Sequence, residues 1–204
     1  MNLVQMRTVL RRQVQDTAAV QWTDAECDQA LNESYYNFQS SVQSIDPEAV
    51  VNWDYMNTVA AQNWYPLPPS FGIISVALRA SVTDGYAKLD RKLLTDIENL
   101  SGTTQYYTQR GEWIGIFPAP STSVASGIEL QHRPIHTLTV DADLPKLKLP
   151  LHYGIVLGAK IFLLGDTNEQ SKSDEDKLNK ILENISRWYG QSYDDAESFS
   201  PRGL

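Results

Sequence analysis

The chain has 204 residues, 42% hydrophobic and 21% charged, enough apolar content for a real core in one domain or two small ones. With 17 Lys and Arg against 25 Asp and Glu, the net charge is −8, a poor fit to gripping phosphates or anionic membrane surfaces. Cys27 is the one cysteine, which excludes an internal disulfide and a cysteine-based zinc site and fits folding in a reducing cytoplasm.

Leu3, Met6, Leu10 and Val14 recur at helical spacing and predict a first helix over about 2–15, capped by Asn2, with Arg7, Arg11 and Arg12 off the apolar stripe. This amphipathic start has no apolar run of the signal-peptide kind. Thr23 with Glu26 makes a capping box, and Trp22 before it is placed as a hydrophobic staple. They open a second helix, 24–45, whose stripe is Cys27, Leu31, Tyr35, Phe38, Val42 and Ile45. The short connection at Asp16–Gln21 predicts a helix hairpin. Residues 46–63 are ambiguous between a short helix and a loop with a strand. The prolines of Tyr65-Pro66-Leu67-Pro68-Pro69 then force extended chain. Strands are expected at 71–78, 86–89, 104–109, 112–117 and 127–133. A hairpin turn is expected at Arg110-Gly111, and a short helix, capped by Asp90, at 91–100.

Pro150–Leu164 is apolar around nearly its whole circumference, which predicts a buried helix, and Pro150 suits its first position. It is too short and too interrupted to span a bilayer. Gly154 and Gly158, four apart, each cost about 1 kcal/mol relative to Ala, which points to close approach of a second helix. A last helix is expected at 173–189, with acids at Asp174-Glu175-Asp176 where the helix dipole favours them, a stripe from Leu178 to Trp188, and a stop at Gly190. The expected fold class is α+β: an antiparallel helical bundle of about four helices with an inserted small antiparallel β domain. The expected parts are 1–63, 64–140 and 141–190, followed by an extended tail, 191–204.

Chemical motifs are few. His132, His136 and His152 share no ligand spacing, so no metal site is expected. Asp166-Thr167-Asn168-Glu169-Gln170 departs from a calcium loop at Ser171 and Lys177. No phosphate loop or nucleophile elbow occurs, and Cys27 lies on an apolar stripe, so neither catalysis nor a cofactor is expected. Trp53, Trp64 and Trp113, with Tyr55, Tyr65, Tyr106 and Tyr107, gather aromatics in the middle third, either as sheet packing or as a binding surface.

The order of elements resembles the head–tail connector (adaptor) proteins of tailed bacteriophages. The resemblance is carried by Trp22-Thr23-Asp24-Ala25-Glu26, Leu31-Asn32-Glu33-Ser34-Tyr35, Leu67-Pro68, Gln105-Tyr106-Tyr107, Ile116-Phe117-Pro118-Ala119-Pro120, Ile128-Glu129-Leu130-Gln131 and Leu149-Pro150-Leu151-His152-Tyr153. It implies a non-enzymatic virion subunit, made in the host cytoplasm, that forms a ring, typically twelvefold, in the neck. The implied partners are other copies of the chain, the portal, and a tail or nozzle protein, with genomic DNA passing through the lumen and no membrane. Under that resemblance the expected portal-docking residues are Tyr193, Asp194, Asp195 and Phe199, and Arg7, Arg11 and Arg12 are an interface basic cluster facing a partner or a neighbouring acidic helix. The alternative is a soluble protein- or glycan-binding module using the aromatic β domain; a hydrolase built on His132 or His136 is the weakest reading.

Overall fold

A computed structural model of the chain describes the backbone of residues 1–165 and 169–197, with side chains described for 1–165 and 172–189. In chain order the elements are α1 (Leu3–Gln13), α2 (Asp24–Ile45), β1 (Asn52–Met56), β2 (Trp64–Pro66), β3 (Ser70–Leu78), β4 (Ala87–Lys88), β5 (Asp90–Arg91), α3 (Leu94–Ile97), β6 (Tyr106–Arg110), β7 (Trp113–Phe117), β8 (Ile128–Pro134), α4 (Pro150–Leu164) and α5 (Glu169–Glu197). The fold is α+β. It divides into a helical unit, Met1–Val50 with His136–Leu204, and a β unit, Val51–Ile135.

In the helical unit, α1 and α2 both begin with reciprocal caps: Asn2 with Gln5, and Thr23 with Glu26. Leu3, Met6 and Leu10 of α1 meet Leu31, Tyr35 and Phe38 of α2, Leu151, Ile155 and Val156 of α4, and Ile185 of α5 in one core. Each such fully buried side chain contributes roughly 1.5–3 kcal/mol of transfer free energy. The two α4 glycines have the expected reason. A Cβ on Gly154 would lie 2.6 Å from Phe38 Cζ, and one on Gly158 would lie 2.3 Å from Ser34 Oγ, both on α2.

Three helix expectations are corrected. α4 is not buried all round: Tyr153 is 49% and Phe162 57% exposed, because neighbouring helices do not enclose the whole cylinder. Ile45, at the end of α2, is also exposed. α5 starts ahead of Ser173 and runs through Gly190 to Glu197. A helical glycine costs only about 1 kcal/mol, too little to end a helix alone. Asp174 is therefore not a first-turn acid. It is 4% exposed and accepts from Lys160 of α4, and Lys177 reaches its other oxygen at 2.9 Å. Burial works to raise the Asp174 carboxyl, but the two lysines outweigh it and hold it below the usual range.

The β unit consists of two four-stranded sheets, ordered β1-β8-β3-β4 and β2-β7-β6-β5. One core takes Val76, Ile128 and Leu130 from the first and Tyr65, Tyr107, Ile114 and Ile116 from the second. The pairing is antiparallel except for the two-residue β5–β6 ladder. The unit takes in β1, within the stretch that the sequence left ambiguous. The helix expected at 91–100 is corrected to the short α3. Asp90 and Lys92 donate their backbone N–H groups to Gln105 and Tyr107, so the chain stays extended there and Asp90 caps nothing.

Candidate partner-binding surfaces

α2 carries two carboxamides seven residues apart, two turns along one face. Asn32 accepts from the Leu138 N–H at 2.7 Å and donates to its carbonyl at 3.0 Å. Gln39 does the same to His136, at 2.9 and 2.8 Å. The side chains thus imitate a neighbouring strand and clamp the extended segment where the chain returns to the helical unit. Further along, the Lys146 N–H donates to Tyr35 Oη at 2.7 Å and the Lys148 N–H to Tyr189 Oη at 3.1 Å. Burial, only partly offset by that Lys146 N–H, pushes the Tyr35 phenol up to about 12.

The basic residues of α1 divide. Arg7 makes a two-pronged contact with Asp28 at 2.7 and 2.6 Å and reaches Asp141 at 3.1 Å. Arg11 is 8% exposed and bonds Asp16 at 3.1 Å, Asp24 at 2.7 Å and the Trp22 carbonyl at 2.9 Å. The hydrogen bond to Asp28 raises the Arg7 guanidinium, and the one to Asp24 raises Arg11. Asp16 also accepts from the N–H groups of Val20, Gln21 and Trp22 at 2.8, 3.1 and 2.9 Å, which fold the α1–α2 connection around one carboxylate and lower its pKa. The two arginines are therefore turned toward the acidic start of α2. Arg12 is exposed and enters no ion pair among the described residues.

The histidines are not brought together as ligands: the described residues contain no group of three His, Cys, Asp or Glu that suits a metal ion. His132 is 1% exposed, with Nε2 2.9 Å from Asp54 across β8 and β1. His152 is buried; its Nε2–H donates to the Leu147 carbonyl at 3.1 Å and Nδ1 faces the Met1 nitrogen at 2.7 Å. Burial pushes its imidazole below the ordinary value. Cys27 is fully buried and its thiol is pushed up by burial.

Two open grooves are lined mainly by apolar and aromatic side chains. On the β unit, Trp64, Trp113 and Phe117 line a groove of about 480 Å³ with Leu94, rimmed by Glu98 and Arg110. Gly115 makes room for it, since a Cβ there would lie 2.8 Å from both the Trp64 and Phe117 rings. On the helical unit, Phe38, Ile161, Phe162, Leu178 and Leu182 line a second groove of about 490 Å³ beside Gly158. Tyr65 and Tyr107 belong to the β core, whereas Trp53, Tyr55 and Trp113 are half exposed.

No curated protein matches the chain. A family model described as SU10 adaptor protein matches residues 1–200. The chain belongs to that family. The SU10 adaptors are a phage head–tail adaptor family, structural in kind, and an adaptor implies contact with other virion components. In this SU10 adaptor the stretch Leu31-Asn32-Glu33-Ser34-Tyr35 has a physical role at most positions. Leu31 fills the core, Asn32 clamps Leu138, Ser34 meets Gly158, and Tyr35 holds Lys146. Among the described residues no helix of the adaptor is long and apolar enough to cross a membrane.

Of the residues expected to dock, Tyr193, Asp194 and Asp195 fall on the backbone of α5 rather than on an extended tail, with side chains outside those described. Phe199 lies outside the described residues. The carboxamide clamp went unread in the sequence. Its available signal was two amides at a two-turn spacing beside a buried stripe.

Proposed function

We propose that the chain is a structural head–tail connector whose copies form a ring, twelvefold as the resemblance implies, between the portal and the tail or nozzle, in the virion neck. In that reading the four long helices act as one antiparallel bundle, and DNA passes through the lumen. The observation that carries the reading is the family match over residues 1–200.

Charge supports it. Of 25 acidic and 17 basic residues, 7 and 6 fall in the β unit, leaving 18 and 11 in the helical unit, hence −1 against −7. A ring multiplies that charge, and a lumen bordered by it repels the duplex and lets it slide. Arg7 and Arg11, committed to carboxylates, offer phosphates little. At the C-terminal end, Tyr193 and Phe199 serve as anchors on the portal, with Asp194 and Asp195 meeting basic groups there.

The test is complementation of DNA-filled heads that lack this protein, followed by electron microscopy of the neck. Full-length protein should restore tail joining and add a ring below the portal. Deletion of 198–204, or Tyr193→Ala, should leave the melting temperature unchanged and abolish joining. Heads that join tails without incorporating the protein would sink the connector reading; joining at the normal rate by both variants would sink the docking assignment alone. A second reading, a soluble peptide- or glycan-binding module, rests on the Trp64–Trp113 groove. It requires Trp113→Ala to abolish binding of such a ligand while neck assembly proceeds normally.

A further inference from the structure

The geometry points to a head-to-tail contact between neighbouring copies, in which an apolar knob at the start of α4 on one copy enters the groove beside Phe162 on the next. The inference rests on the ring reading above. α4 is enclosed by its neighbours except at two places. Near its start, Leu149 and Tyr153, four residues apart and so on one face, are 70% and 49% exposed. Near its end, Phe162 is 57% exposed. At about 100° per residue, Tyr153 and Phe162 point to opposite sides of the helix. A two-fold dimer needs one patch that meets itself. A ring needs two different patches facing apart, one for each neighbour. This helical unit has such a pair: a protruding apolar face and, on the other side, a groove of about 490 Å³ floored by Gly158 and walled by Phe38, Leu178 and Leu182.

Charge matches the same pairing. Exposed Lys146 and Lys148 precede the knob in the chain, Lys148 with its Nζ donating to the Trp188 carbonyl, and exposed Arg12 adjoins Gln13, whose amide reaches Tyr153 Oη at 3.4 Å. The groove has exposed Glu33 at its rim. A basic-rimmed knob facing an acidic-rimmed groove favours a second copy of the chain over a self-facing contact, which would set the lysines against one another.

The experiment traps the contact in full-length protein assembled on heads. Leu149→Cys tests the knob, Asn37→Cys the groove, and native Cys27 stays buried. After mild oxidation the double variant should give a ladder on a non-reducing gel that climbs toward the ring's stoichiometry, while each single variant runs as monomer. Glu33→Lys and Lys146→Glu should each reduce incorporation into heads several-fold, and the two together should restore it. Electron microscopy of the same particles separates the failures. A visible ring with no ladder overturns the knob-and-groove pairing and leaves the connector intact; particles without a ring overturn both. Dimers from Leu149→Cys alone, or its capture by the portal or tail protein, would also overturn the pairing.

Discussion

Among the described glycines, Gly158 has the shortest approach to a neighbouring side chain, and Gly158→Ala isolates its effect. The new Cβ would sit 2.3 Å from Ser34 Oγ and 3.3 Å from Ser34 Cβ. Ser34 is 6% exposed, so the hydroxyl must rotate away about χ1, toward the groove that Ser34 and Gly158 both line, or α2 must shift. Overpacking of this kind costs about 1–3 kcal/mol. Better helix propensity returns about 1 kcal/mol. The net expectation for Ala is a loss of up to about 2 kcal/mol, and Gly158→Leu, with more bulk beyond the same Cβ, should lose about 1–3 kcal/mol. At roughly 4 °C per kcal/mol for a unit of this size, the Leu variant melts about 4–12 °C lower when helix ellipticity is followed. Ser34→Ala supplies the control. It removes Oγ, leaves only the 3.3 Å Cβ contact, and should bring Ser34→Ala/Gly158→Ala back to the parent stability or above it. A single Gly158→Ala variant that melts several degrees higher than the parent would refute the reasoning.

Arg7→Ala and Arg11→Ala should each lower the melting temperature, since they strip partners from Asp28, Asp24 and Asp16, yet leave duplex DNA retention at low salt unchanged in a filter assay. Asn32→Leu leaves the Leu138 N–H and carbonyl without their partner, a loss of about 1–3 kcal/mol for each group; hydrogen exchange at Leu138 should accelerate more than at His136. Tyr35 has a folded pKa above its unfolded value, so the stability it contributes is complete below pH 10 and is lost as pH rises toward about 12; Tyr35→Phe should flatten that alkaline fall in melting temperature. Asp174 is the reverse case. Its folded value is depressed, so its contribution is complete above about pH 4 and is lost as pH falls through the folded value, and Asp174→Ala at neutral pH should cost about 3–5 kcal/mol by stranding Lys160.

The long helices were legible because their signals are local. Leu3, Met6 and Leu10 repeat at helical spacing, and Thr23 with Glu26 marks a boundary within four residues. The glycine pair in α4 was legible because a helical glycine needs a packing reason. What escaped depends on distant partners. β1 offers no apolar alternation, since Trp53 and Tyr55 face outward while Asp54 turns in to His132. Its strand identity comes from β8, far along the chain. Arg7 and Arg11 read as a surface cluster because their carboxylates come from other elements: Asp24 and Asp28 of α2, Asp16 of the α1–α2 connection for Arg11, and Asp141 for Arg7. The continuation of α5 past Gly190 was hidden because Gly190 looks like a stop when only local propensity is weighed. The grooves were not legible at all. Their aromatics are visible in the sequence, but concavity is made by Gly115 and Gly158, whose contribution is an absent side chain.

The carboxamide clamp bears on how this architecture changes over evolutionary time. Asn32 and Gln39 grasp backbone at 136–138, so their hold depends on the pitch of α2 and not on what the chain does between Val50 and His136. In effect they are a socket at the mouth of a long excursion. Doubling the length of such an excursion adds only about 0.6 kcal/mol to the entropy of closing it. A lineage can therefore lengthen, trim or replace the β unit, and with it whatever that unit recognises, while the helical unit continues to close on the same two amides.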